Sequence, residues 1–152
     1  MQKNFIFSDT ETTGLKEKDF IQIIQSASIL TDDSFERIDA QNIESRPLPW
    51  VVPQPGAYLV HKKISSLDSN ISHYQMMKDI YETWQKWSDD KQSIFITYNG
   101  HQFDEELYRR QFYWNLLPPY ITNTNGNGRS DLYFLILLVS YLYPDFIKFN
   151  MN

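Results

Sequence analysis

The stretch Asn4-Phe5-Ile6-Phe7-Ser8-Asp9-Thr10-Glu11-Thr12-Thr13-Gly14-Leu15 sets the reading of this chain. Phe5, Ile6 and Phe7 are apolar without alternation, as in a strand covered on both faces at the centre of an α/β sheet. Thr12, Thr13 and Gly14 then end it with turn chemistry. Side chains alternate along a strand, so Asp9 and Glu11, two residues apart, point the same way. Two carboxylates so placed repel each other and lose hydration unless a cation sits between them. Solvated turn residues would carry the same pair, and the stretch alone leaves both readings open.

Outward from this first strand, near 4–9, the pattern continues in the same style. Residues 20–30 are apolar with the small and polar interruptions of a strand, and Asp32-Asp33-Ser34 is a hairpin turn into a third strand near 35–46. Pro47, Pro49, Pro53 and Pro55-Gly56 predict an extended loop without regular structure. Met76, Met77, Ile80, Tyr81, Trp84 and Trp87 fall at helical spacing, so 74–87 is a helix with its aromatic stripe in the core. Residues 93–98 form a short strand ended by Asn99-Gly100, and 103–117 a helix stopped by Pro118-Pro119. After the polar loop 123–128, a last helix runs from about Asp131 to Pro144. Its greasiest part, Leu132 to Tyr143, has the length of a core helix and falls short of the ~20 residues of a membrane span. Tyr98 and Tyr113 read as core. The order is three strands, helix, strand, helix, helix, which suits a mixed-sheet α/β fold with helices packed on it.

Composition narrows the class. The chain has 152 residues, 41% hydrophobic and 16% aromatic, enough for one domain with its own core. Net charge −5 argues against binding nucleic acid by bulk electrostatics. Cations held by carboxylates would still attract phosphate locally. There is no cysteine, hence no disulfide framework and no thiolate metal site. With no signal peptide in the first residues, the reading is a soluble cytoplasmic protein with no membrane partner.

A second acidic focus is Tyr98-Asn99-Gly100-His101-Gln102-Phe103-Asp104-Glu105-Glu106-Leu107. A strand, a tight turn and a helix start would hold Asp104 in one place. Acids in a first helical turn are also stabilised by the helix dipole, typically by ~0.3–1 kcal/mol, which explains Asp104, Glu105 and Glu106 without chemistry. Arg109 and Arg110, four residues beyond Glu105 and Glu106, would form ordinary surface pairs.

Taken together, these segments resemble a known family. Asp9 to Leu15 resembles the first motif of the DEDD 3′→5′ exonucleases, and Asn99 with Phe103-Asp104 their second. Pro53-Gln54-Pro55-Gly56-Ala57, the helix Phe103 to Asn115, Pro119-Tyr120 and Gly128-Arg129-Ser130-Asp131-Leu132 narrow the resemblance to the exonuclease I family. It runs in order over nearly the whole chain. It implies a ribonuclease H-like fold, with residues 1–152 a single domain incomplete at its C-terminus. It further implies hydrolysis of single-stranded DNA from the 3′ end. Asp9, Glu11 and Asp104 would be catalytic metal ligands for two Mg²⁺ or Mn²⁺ ions, ~3.5–4 Å apart in such sites. Hard cations take hard oxygen ligands, which is why carboxylates serve here. Thr10, Tyr58, Leu59, His61, Asn99 and Phe103 would contact substrate, with apolar and aromatic faces stacking bases.

One part of the family pattern is missing. Its third motif, His-x-x-x-x-Asp, supplies a general base and a fourth carboxylate, yet no histidine follows His101 and Asp145 is the only acid after Asp131. The resemblance therefore implies a fragment completed by a missing C-terminal region or a partner chain, with little activity alone. The alternatives are a non-catalytic, degenerate binder of metal or nucleic acid, and a proofreading-type or RNA-trimming DEDD nuclease. His61 stands where the family has a turn with a glycine and reads as structural or a DNA contact; His73 reads as a helix-start residue; Asp131 reads as a helix cap rather than a ligand.

Overall fold

The computed structural model describes residues 4–14, 20–89 and 92–146; Leu15, the last residue of the opening motif, lies outside them. The opening stretch forms β1 (Asn4–Thr12), followed by β2 (Ile23–Thr31) and β3 (Arg37–Glu44). The β2–β3 turn is built by Asp32, whose Oδ1 accepts from the backbone N–H groups of Ser34 and Glu36 at 2.9 and 3.0 Å. Then come α1 (Pro55–His61), α2 (His73–Ser88), β4 (Ser93–Thr97), α3 (Asp104–Trp114), β5 (Gly128–Asp131) and α4 (Leu132–Leu142). The sheet order is β3-β2-β1-β4-β5, with β1/β2 and β2/β3 antiparallel and β1/β4 and β4/β5 parallel. This is the expected mixed sheet, with β1 at its centre.

One face of the sheet carries the core. Ile6, Ile23, Leu30 and Phe95 meet Met76, Met77, Ile80, Trp84 and Trp87 of α2 and Leu107, Tyr108 and Phe112 of α3. Burying each large side chain contributes roughly 1.5–3 kcal/mol, so this shared cluster is what presses both helices on the sheet. Directed bonds then fix where α3 sits. The Gln111 side chain accepts from Ile23 N–H at 3.0 Å and donates to the Ile21 carbonyl, and Tyr108 Oη lies 2.6 Å from Ser26 Oγ.

Several expectations need correction. β1 is not covered equally on both sides: Ile6 is fully buried, whereas Phe5 and Phe7 are half-buried, with the Phe35 ring 5.0 and 6.5 Å away. The proline-rich loop does not stay irregular, because Pro55 opens α1, where its fixed φ and missing N–H suit the first turn. β5 occupies residues assigned to a loop and a helix start; its Gly-Arg-Ser-Asp sequence has no strand propensity and is drawn into the sheet by parallel pairing with β4. Tyr98 and Tyr113 are exposed rather than core, and α4 has no buried residue despite its apolar sequence. Among the described residues, no helix is long and apolar enough to cross a membrane.

Candidate functional site

Parallel pairing of β1 with β4 runs from Asn4↔Ser93 to Phe7↔Ile96, so the carboxyl ends of the two strands lie side by side. Asp9 stands just beyond that pairing on β1, and the Asn99-Gly100 turn just beyond it on β4. In open α/β sheets this end is where ligands bind. Asn99 adopts a left-handed conformation, φ 56°, which asparagine tolerates better than most residues. Gly100 has no room for a side chain: a Cβ would lie 2.7 Å from Thr97 Cβ and 2.9 Å from Asp104 Oδ2. Its carbonyl accepts from Phe103 and Glu105 N–H, which turns the chain into α3.

Asp104, the first residue of α3, is thereby pressed against the strand ends. Thr10 Oγ1 donates to its Oδ1, a bond joining residues 94 apart in sequence. Burial pushes the Asp104 carboxyl above the usual range; the Thr10 bond opposes this, and the charges of Asp9 and Asp131 add to it. Tyr108, beneath the site, is likewise raised by burial, against its Ser26 bond and with the Asp104 and Asp9 charges adding to the effect. A buried carboxyl held beside a second acid is relieved by a divalent cation, and an all-oxygen donor set suits Mg²⁺ or Mn²⁺. Glu11 stays in register with β2, opposite Gln25 as Asp9 is opposite Ala27, and the register shifts only beyond it, between Glu11 and Thr12. Among the described residues, no three acidic or histidine side chains are gathered closely enough to hold one ion.

The remaining expected residues divide into committed and free. Phe103 packs against the hydrophobic core, and Tyr58 packs edge-on to His61 with its Oη 3.2 Å from Ser66 Oγ. Leu59 is 78% exposed on α1, and the Asn99 side chain is exposed. His61 is tied at both ring nitrogens, to Thr12 O and Lys63 N–H. His73 does start α2, but is buried with neither ring nitrogen partnered.

Three residues escaped the sequence reading or did more than it assigned. Asp131 caps α4 by accepting from Tyr133 N–H at 3.0 Å, and also accepts from Asn99 and His101 N–H at 2.8 and 3.1 Å. It thus holds the turn that presents Asp104. Burial would raise its carboxyl, but the His101, Asn99 and Tyr133 amides outweigh that and hold it below the usual range. Glu105 does not pair with Arg109. It is buried and ion-paired with Arg129 of β5, with Thr122 Oγ1 donating to the same oxygen at 3.3 Å. Arg109 and Arg110 both turn to Glu106. The only sequence signal for the Glu105–Arg129 pair was the presence of each residue in a family-like segment.

A five-stranded mixed sheet of this order, with helices over its core and acidic groups at the carboxyl end of the parallel pair, is an α/β fold of the ribonuclease H-like class. No protein-family model matches the chain. It is 30% identical over 153 residues to exodeoxyribonuclease I of Buchnera aphidicola subsp. Acyrthosiphon pisum, covering 98% of this chain and 36% of that protein. E. coli exonuclease I in complex with a dT13 oligonucleotide matches with a TM-score of 0.86 at 26% identity, over 99% of this chain and 32% of that one. The zinc-ion-bound E. coli exonuclease I–single-stranded DNA complex matches with a TM-score of 0.87 at 26% identity, over 100% and 32%. The resemblance to the exonuclease I family is therefore borne out in sequence and in fold. The chain spans about a third of the length of the curated relatives it matches.

Proposed function

We propose that this chain is the catalytic-site portion of a metal-dependent 3′→5′ exonuclease acting on single-stranded DNA. The single observation that carries the proposal is the Thr10–Asp104 bond. It draws the acid at the start of α3 to the strand that bears Asp9 and Glu11, in a fold shared with exonuclease I. Asp9, Glu11 and Asp104 would hold two Mg²⁺ or Mn²⁺ ions. Bound there, such ions would supply positive charge to the phosphate oxygens and help activate water. Thr10 keeps one Asp104 oxygen oriented, and Asp131 holds the 98–101 turn from behind. Leu59 offers an apolar face to the terminal base.

None of the three histidines is placed to take a proton from the attacking water. Both His61 nitrogens are bonded, His73 is buried, and His101 Nε2 lies 3.9 Å from buried Glu105. General-base catalysis is typically worth ~10²–10⁴-fold, so the 152-residue chain should have little or no activity by itself. A second reading, a binder of metal or DNA ends without turnover, is favoured by the absence, among the described residues, of three acidic or histidine side chains grouped closely enough to hold one ion. Degradation of 3′-labelled single-stranded DNA with Mg²⁺ or Mn²⁺, alone and with an added polypeptide carrying the His-x-x-x-x-Asp motif, separates the two. Activity restored by the addition supports the exonuclease; end binding without restored turnover supports the binder. Turnover by the chain alone near that of full-length exonuclease I would refute the inactivity.

A further inference from the structure

We infer that His61 is a positioning residue, a neutral imidazole that ties α1 to the strand end bearing Glu11. The inference rests on the proposed metal site only for its consequence, not for its geometry. Lys63 N–H donates to Nδ1 at 2.9 Å, so Nδ1 carries no proton. Nε2 lies 3.2 Å from the Thr12 carbonyl, which can only accept, so Nε2 carries the proton. Both bonds are made together by one tautomer alone.

The surroundings hold the ring in that pose. Tyr58 packs edge-on at 4.7 Å, and its hydroxyl reaches Ser66, which in turn donates to the Lys63 carbonyl at 2.7 Å. Lys63 Nζ lies 3.5 Å from Glu44 of β3, which also accepts from Ser65. The segment carrying the imidazole is therefore fastened to the sheet on its far side. On its near side it bonds the carbonyl of Thr12, the residue after Glu11 and the last of β1, where the register with β2 shifts. Holding Thr12 at the end of the strand restrains its neighbour Glu11. The half-buried histidine thus acts through the strand end that bears Glu11 and not on substrate.

The test compares the wild-type chain with His61→Leu and His61→Gln. Long-range ¹H–¹⁵N spectra should show the His61 ring at pH 7 with the proton on Nε2 and none on Nδ1. In His61→Leu the Thr13 amide, which donates to Gln22 O at 2.9 Å from the peptide whose carbonyl His61 holds, should exchange roughly fivefold to tenfold faster as that peptide loosens. His61→Gln, whose amide can still donate to Thr12, should restore Thr13 protection while Lys63 N–H stays fast. Mn²⁺ affinity should follow Thr13, weakened several-fold in the leucine variant and recovered in the glutamine variant. A ring protonated on Nδ1, or Thr13 exchange unchanged in His61→Leu, overturns the inference. If the wild-type chain binds no Mn²⁺, the metal-site reading fails, while the spectra and exchange rates still decide the role of His61.

Discussion

Replacing His73 should abolish much of the acid sensitivity of this fold. The imidazole is 4% exposed at the first position of α2, and neither ring nitrogen has a hydrogen-bond partner. Burial pushes its pKa down from 6.5 to about 4, and a cation in a first helical turn is further disfavoured by the helix dipole. Between those values the unfolded chain takes up a proton that the folded chain does not. The contribution is therefore complete above pH ~7, declines as pH falls through that window, and is gone below about pH 4. A depression of this size corresponds to about 3 kcal/mol, a large fraction of the ~5–15 kcal/mol typical of a domain. His73→Leu removes two unpartnered polar atoms at similar volume, so at pH 7 it should be neutral or stabilising by about 1 kcal/mol. By pH 4.5 the variant should lead the wild type by about 2–3 kcal/mol. Urea unfolding followed by tryptophan fluorescence, with Trp84 and Trp87 buried on the same helix, reads both proteins at each pH. Taking their difference cancels the carboxylates common to both. Parallel stability curves from pH 7 to 4 would refute the reasoning.

Other expectations follow from single residues. Lys62 caps α1 in the left-handed region at φ 58°, so Lys62→Gly should raise stability by about 0.5–1 kcal/mol, measured by thermal unfolding. Gly100→Ala should cost about 1–3 kcal/mol by overpacking against Thr97 and should weaken Mn²⁺ binding by displacing Asp104, read by denaturation and calorimetry. Asp131→Ala strips an acceptor from three backbone amides. It should cost about 2–3 kcal/mol at pH 7. Because the folded carboxyl is held low, that loss should shrink as pH falls through its folded pKa, which denaturation at pH 7 and pH 3 would check.

What could be read in advance follows from where the physics is local. The α2 stripe from Met76 to Trp87 and the Asp32 turn were legible because helical period and side-chain capping act within a few residues. The α1 helix was hidden because Pro55-Gly56 carries the same letters as a loop and differs only in the position proline takes. β5 was hidden because its strand character comes entirely from β4 beside it. Apolar composition predicted a buried α4, but composition states a preference and names no surface to satisfy it; Phe134, Leu135 and Leu138 are each at least half exposed. At the site, the i, i+2 rule brought Asp9 and Glu11 to notice but could not foresee the bulge after Glu11. The Thr10–Asp104 and Glu105–Arg129 contacts span 94 and 24 residues, beyond the reach of any local rule; the first was indicated only through family resemblance.

The most direct test of the proposed site is a calorimetric Mn²⁺ titration of the wild-type chain, Asp9→Asn and Asp104→Asn, with stability recorded alongside. The wild type should bind, and each variant should lose at least tenfold in affinity. Asp104→Asn should also be as stable as the wild type or more so without metal, because burial and the Asp9 charge already disfavour its ionised form. Equal Mn²⁺ affinity in all three proteins, or no binding by the wild type, would contradict the proposed site.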